Sequence, residues 1–363
     1  MITAALFSVG LITIIPKKYK LPEKLFLWLF AILLVMVFAG NNSSVDQLNY
    51  RYVYDGAFRA YFEPGYMLLC SLMKSAGFNY LQFKLIIGGI VIFVLKYRFS
   101  TIGIRAWSLS LVFWACSSFW MEIEQSRFYI AMVIVLFATK YLQEKTTINV
   151  IKYIALVFVA MQFHTSMSFY LLLAVMNTRL YSRIRGFIFL VAFSAAFVSI
   201  LNNNDWSFVG EILYAATKNE RLLMWFNMRT NFGYIGPLLI QVVSYALLTY
   251  IAEVLSKHFE GNEMAKKSDL SLCYMTQKVS EILFLAIPLY MISTDFVRVE
   301  RGFMLPYFLC VFQSMKYMNL KQKMIVFVLL SVLVLGMNFV LYGDAMPLFN
   351  TYFKDMLTYN EWN

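Results

Sequence analysis

Residues 324–342 read MIVFVLLSVLVLGMNFVLY, a run without a single Lys, Arg, Asp or Glu. A helix needs roughly 20 mostly apolar residues to cross a bilayer core. This stretch has that length and composition, and it has company. Candidate spans lie at 1–16, 25–41, 82–97, 106–121, 127–143, 149–163, 165–178, 186–201, 234–254, 279–294, 302–315 and 324–342. In lipid each backbone N–H and C=O must find its partner inside the segment, which favours helices. The sequence therefore predicts an all-α, polytopic transmembrane helix bundle of about 12 spans. Residues 1–363 form one integral membrane domain in this reading.

The bulk composition agrees. Apolar residues make up 61% of the chain and charged residues 14%, against about 45–50% and about 25% in soluble domains. Mean hydropathy is +0.65. A soluble globular enzyme and a disordered chain are both excluded. Cys70, Cys116, Cys273 and Cys310 sit in or beside apolar runs without paired spacing, so buried thiols are expected. Ile2 to Ile15 has no basic residue before it and no small-residue cleavage site, which suits a short first span better than a signal peptide.

Charge sets the orientation. With the N-terminus outside, the inner loops are 17–24, 97–105, 140–152, 179–185, 255–278 and 316–323. Counting residues at the span ends, the inner side holds 20 of the 31 Lys and Arg and 7 of the 20 Asp and Glu, a surplus of +13. The outer side holds 11 and 13, or −2. The net charge of +11 thus reports topology through the positive-inside rule, not an affinity for nucleic acid. Residues 64–80 (PGYMLLCSLMKSAGFNY) are apolar but short, and they enclose Lys74. Were they to span, every later loop would invert and the charge bias would fail. They are read as an interfacial helix within an outer loop over 42–81, with Pro64 in its first turn. The longest outer loop is 202–233.

The two cations divide differently. Of 19 Lys only Lys74, Lys84, Lys218 and Lys354 are outside, whereas seven of 12 Arg are: Arg51, Arg59, Arg127, Arg221, Arg229, Arg298 and Arg301. Guanidinium is a permanently charged fork that matches phosphate oxygens two at a time. Interfacial ion pairing with Asp and Glu would give the same bias.

The outer stretches carry the candidate chemistry. Residues 41–63 (NNSSVDQLNYRYVYDGAFRAYFE) hold Asp46, Tyr50, Arg51, Tyr54, Asp55, Arg59, Tyr61 and Glu63, with two sequons at Asn41 and Asn42. Alternating rings and charges suit sugar binding, and they equally suit an aromatic interfacial belt. Glu63, just before Pro64, suits either helix capping or catalysis. Glu122, Glu124 and Arg127 cluster in MEIEQSRFYIAM. Arg127 heads an apolar helix, where a cation opposes the helix dipole, so it calls for a local carboxylate or a substrate phosphate. His164, in VAMQFHTSMSFY, faces the same side, whereas His258 lies in a charged inner loop. Asp205, Glu211, Lys218, Glu220, Arg221 and Arg229 come from 202–233, Asp295, Arg298, Glu300 and Arg301 from STDFVRVERGF, and YGDAMPLFNTYF ends the outer set. No phosphate-binding glycine loop, His-Glu-x-x-His helix or Gly-x-Ser-x-Gly elbow occurs. Too few His and no tight Asp pair speak against a metal site.

The ordered set Asp46-x-x-x-Tyr50, Glu63-Pro64-Gly65-Tyr66, Arg127-x-x-x-Ala131 and Phe163-His164-x-Ser166 resembles the EpsG family of Wzy-type polysaccharide polymerases. The resemblance covers residues 40–175 well; the second half shares only its layout. Phe128 stands where that family usually has Gln. The resemblance implies a bundle similar to C-type (GT-C) glycosyltransferases, in the bacterial inner membrane. It implies polymerisation of undecaprenyl-pyrophosphate-linked repeats into O-antigen, capsule or exopolysaccharide at the periplasmic face, without metal or cofactor. Donor and acceptor glycans on that lipid, the bilayer and a chain-length regulator protein would be the partners. Arg127 and His164 would then serve the pyrophosphate, with Glu63 as base or sugar-positioning group. Asp46, Arg51, Tyr54, Glu124, Arg221, Arg229, Arg298 and Arg301 would line the site. A flippase or transporter of the same lipid-linked oligosaccharide, or an O-antigen ligase, would use a similar chain.

Overall fold

The computed structural model describes residues 23–41, 44–56, 62–144, 146–218, 220–228, 233–260, 267–342 and 361. Among the described residues there is no strand. The helices begin with α1 (Glu23–Gly40), α2 (Val45–Asp55), α3 (Pro64–Ser75), α4 (Tyr80–Arg98), α5 (Ile104–Ala115), α6 (Phe119–Glu124), α7 (Ser126–Ala138) and α8 (Thr147–Met161). After a 3₁₀ helix (Thr165–Asn177) come α9 (Arg179–Leu201), α10 (Ser207–Thr217), α11 (Glu220–Asn227), α12 (Ile235–Phe259) and α13 (Lys267–Leu283). The chain continues with α14 (Ile287–Ile292), α15 (Arg298–Arg301), α16 (Met304–Ser314) and α17 (Leu320–Tyr342).

Six helical stretches are long and apolar enough to cross a membrane: Glu23–Gly40, Tyr80–Arg98, Leu180–Leu201, Ile235–Phe259, Asp269–Ile292 and Leu320–Leu341. They correspond to six of the expected spans. The others described are shorter: Ile104–Ala115, Thr147–Met161 and Thr165–Met176 are apolar helices of 10–17 residues. The expected spans 106–121 and 127–143 break at Ala115 and Ala138, and 302–315 contains the 11-residue α16. The span expected at 1–16 lies outside the described residues, as do the sequon positions Asn42 and Ser43 and the tail at 343–360.

The chain divides into two compact units. In the first, α1 lies against α4 and α5, α4 and α8 flank α7, α16 joins α5, and α2 and α3 pack on each other. In the second, α12 lies between α13 and α17, α9 meets α14, and α10 folds back on α11. The apolar surface left outside is large: Phe187, Leu190 and Phe197 on α9 are each more than 60% exposed. Such a surface suits lipid rather than water.

Local signals explain several boundaries. Asn79 and Gln82 cap the start of α4 reciprocally, at 3.0 and 2.9 Å. Asn319 and Gln322 repeat the device before α17, at the same two distances. Gly56 ends α2 with φ 83°, a left-handed cap that favours glycine. In the 3₁₀ helix Met167, Tyr170, Leu173 and Met176 are all buried. Their spacing of three matches its three residues per turn.

Two expected loops are helical. The loop at 255–278 shrinks, because α12 runs to Phe259 and α13 begins at Lys267. Two of its polar residues are buried with partners: Tyr317 donates to Asp269 at 2.7 Å and Thr276 to the Leu272 carbonyl at 2.8 Å. The loop at 202–233 contains the hairpin of α10 and α11, and a Cβ on Gly210 would lie 2.7 Å from Phe226 Cβ. Within the apolar second unit, the buried Glu281 pairs with Arg185 at 2.6 Å and accepts from the Tyr181 and Tyr245 hydroxyls. A carboxylate at such a depth requires this degree of satisfaction.

Candidate functional site

The motif Glu63-Pro64-Gly65-Tyr66 docks the start of α3 on the end of α8. Pro64 occupies the first turn, where no N–H is needed. The N–H groups of Gly65 and Tyr66 donate to the Gln162 carbonyl at 2.8 and 3.3 Å. A Cβ on Gly65 would stand 2.7 Å from both the carbonyl oxygen and the Cβ of Gln162, so only glycine permits the approach. Tyr66 is fully buried beside Tyr50, Phe62 and Phe83.

Docking aims Glu63 away from its own helix. Its side chain makes no cap to α3. One carboxylate oxygen pairs with Arg127 Nη1, and the other accepts the Thr165 N–H at 3.2 Å. The anion that Arg127 calls for is thus Glu63, not the nearby Glu122 or Glu124. Arg127 is the second residue of α7, so Glu63 also offsets an unfavourable position on the helix dipole.

Aromatic rings hold the guanidinium in place. Its carbon lies 4.1 Å from the Phe62 centroid and 5.4 Å from that of Tyr50. Burial pushes the Tyr50 phenol up to about 12, against the pull of Arg127. Arg127 and Glu63 side chains remain 18% and 14% exposed, so the pair is reachable from outside. Arg127 Nε is buried and has no partner among the described residues.

His164 adjoins the pair in sequence, next to Thr165. Its Nδ1 accepts the Ser166 N–H at 3.3 Å and lies 2.7 Å from Ser166 Oγ. A backbone N–H can only donate, so in the neutral ring the proton sits on Nε2. Phe128, at the position that departs from the expected Gln, sets its ring edge-on to His164 with centroids 5.5 Å apart. Glu63, Arg127 and the His164–Thr165 turn therefore form one constellation, drawn from three separated stretches of the first unit.

A family model described as the EpsG family matches residues 25–353. The chain belongs to the EpsG family. Membership points to a membrane protein of the polysaccharide-polymerase type. No curated protein and no solved structure matches the chain.

The other residues marked in the EpsG sequence are placed as follows. Asp46 on α2 is half-buried and acts on Tyr50 electrostatically. Arg51 is exposed and pairs with Glu361 at 3.4 Å and Asp55 at 3.8 Å. Tyr54 is buried, donates to the Phe78 carbonyl at 2.7 Å and stacks on Phe83, so its ring is spent inside the fold. Glu124 closes α6. Arg298 donates to the Asp295 carbonyl at 2.7 Å, and Arg301 is buried, both in the second unit. The Arg221 side chain and the whole of Arg59, Tyr61 and Arg229 lie outside the described residues. Phe62 was missed as an Arg127 neighbour, because an aromatic in an outer loop carries no signal of what it faces.

Proposed function

We propose that this EpsG-family chain polymerises undecaprenyl-pyrophosphate-linked oligosaccharide repeats into a surface polysaccharide on the outer face of the bacterial inner membrane. The supporting observation is the Arg127–Glu63 pair, ring-clamped and still reachable, beside the His164 turn. The chain so read has about 12 spans in a bundle similar to C-type glycosyltransferases; six helices among the described residues are long and apolar enough to cross a membrane, and three further apolar helices are shorter. A chain-length regulator would act with it in the membrane.

In this reading an acceptor sugar hydroxyl attacks the anomeric carbon of the donor glycan. A new C–O bond forms, the bond to the lipid pyrophosphate breaks, and the hydroxyl proton leaves with a base or the departing phosphate. Negative charge grows on the pyrophosphate oxygen, where preorganised donors count most. Arg127 supplies a fixed cation there, and the Nε2–H of His164 a second donor. Both Glu63 oxygens already accept hydrogen bonds, so Glu63 orients Arg127 in this arrangement.

Gene deletion tests the activity. Loss of a polymerase leaves single repeats on the cell surface. Loss of a flippase leaves none, and loss of a ligase leaves polymer on its lipid; either result would refute the proposal.

A further inference from the structure

A buried polar cluster lies behind Arg127, and the chemistry above does not use it. Gln47, on α2, is wholly buried. Its amide nitrogen lies 2.6 Å from the Ile123 carbonyl, 2.9 Å from the Glu124 carbonyl and 2.6 Å from Ser126 Oγ. Its amide oxygen accepts from the Tyr80 hydroxyl at 3.0 Å and from Lys84 Nζ at 3.4 Å. Lys84 is buried too, and it donates to the Asn41 carbonyl at 2.6 Å. Lysine and tyrosine hydroxyl donors on one side of the amide leave its N–H groups only the other side. That side is the junction between α6 and α7.

The junction needs such a partner. Helix α6 ends at Glu124 and α7 begins at Ser126. Gln125 separates them in a non-helical conformation (φ −95°, ψ 60°) and supplies no side-chain cap. The last carbonyls of a helix have no intrahelical donor. Gln47 meets two of these, Ile123 and Glu124, from 76 and 77 residues away. It also holds Ser126, the residue before Arg127.

We propose that Gln47 is a positioning residue for Arg127. By tying both sides of the α6–α7 break to α2, it fixes the first turn of α7 and thereby the direction in which Arg127 leaves the backbone. Tyr50, whose ring flanks the guanidinium, is three residues further along the same helix. One helix thus sets the backbone of Arg127 through Gln47 and its side chain through Tyr50. The inference rests on Arg127 serving the leaving group.

The test compares full-length wild type with Gln47→Glu, Ser126→Ala and Arg127→Ala in membranes. Lipid extract of the deletion strain, carrying its own lipid-linked repeats, is the substrate. Gln47→Glu keeps the acceptor for Tyr80 and gives Lys84 a countercharge, but it removes both donors to the junction, and hydrogen exchange over the whole chain reports whether the fold is kept. The expected result is a tenfold or greater fall in kcat, with KM within twofold. Amide hydrogen exchange at residues 122–128 should rise tenfold while the rest of the chain is unchanged. Ser126→Ala, which removes one arm, should give a smaller change in the same two readouts. Unchanged kcat in both variants would overturn the inference. So would a loss of rate with exchange rising throughout the chain, the mark of a general structural role. Full activity of Arg127→Ala would instead refute the reading of Arg127 itself, whatever Gln47 does.

Discussion

Replacing Glu63 by Gln separates an orienting carboxylate from a catalytic base. The change removes the charge that faces Arg127 and keeps nearly the same shape. The pair is neither fully buried nor exposed, at 14% and 18%. Breaking a buried pair costs about 3–5 kcal/mol and an exposed one about 0–1 kcal/mol, so about 2 kcal/mol is expected here. A cation left near a helix N-terminus adds roughly 0.5 kcal/mol. If all of this appears as lost orientation of Arg127, the polymerisation rate falls roughly 70-fold. A general base would be worth about 10²–10⁴-fold, and its loss would abolish one limb of the pH–rate profile. The assay is the initial rate of polymer formation in membranes at matched protein level, from pH 5 to 9. An orienting Glu63 gives a partial loss with the profile unchanged in shape. A loss equal to that of Arg127→Ala, with a flattened profile, would refute the assignment, and so would full activity.

Further predictions concern single residues. Gly65→Ala forces a Cβ to 2.7 Å from the Gln162 backbone; it should cost about 1–3 kcal/mol and lower Tm in detergent by several degrees, together with polymer length. Tyr54→Phe deletes the 2.7 Å bond to the Phe78 carbonyl; stability should fall by about 1 kcal/mol with chain length of the polymer unaltered, as checked by Tm and gel profile. Burial raises the Glu300 carboxyl to about 8, well above its unfolded value. The folded state then holds a proton that the unfolded chain releases, so stability should decline as pH rises from about 4.5 through 8, and Glu300→Gln should flatten that decline in pH-resolved Tm measurements.

The membrane class was legible in apolar length alone, since a run such as 324–342 has few other uses. Finer structure was less so. Period three in the 3₁₀ helix was hidden because residues 169–176 are all apolar or aromatic, whichever side they face. The first half of α13 was misjudged because Asp269 and Thr276 look like loop residues until their buried partners are known. The candidate site divided in the same way. Arg127 announced itself by opposing a helix dipole, and Glu63 by its place before Pro64. That these two form a pair across 64 residues is a matter of tertiary docking, set by Gly65 against Gln162. Gln47 gave no sign at all, since an amide in a short helix is commonplace and its role depends on three chain segments meeting.

The decisive experiment is complementation of the deletion strain with Arg127→Ala at wild-type protein level, read as the length distribution of the surface glycan. The mechanism predicts single repeats only, with lipid-linked repeats accumulating in the membrane. Polymer of normal length would contradict it.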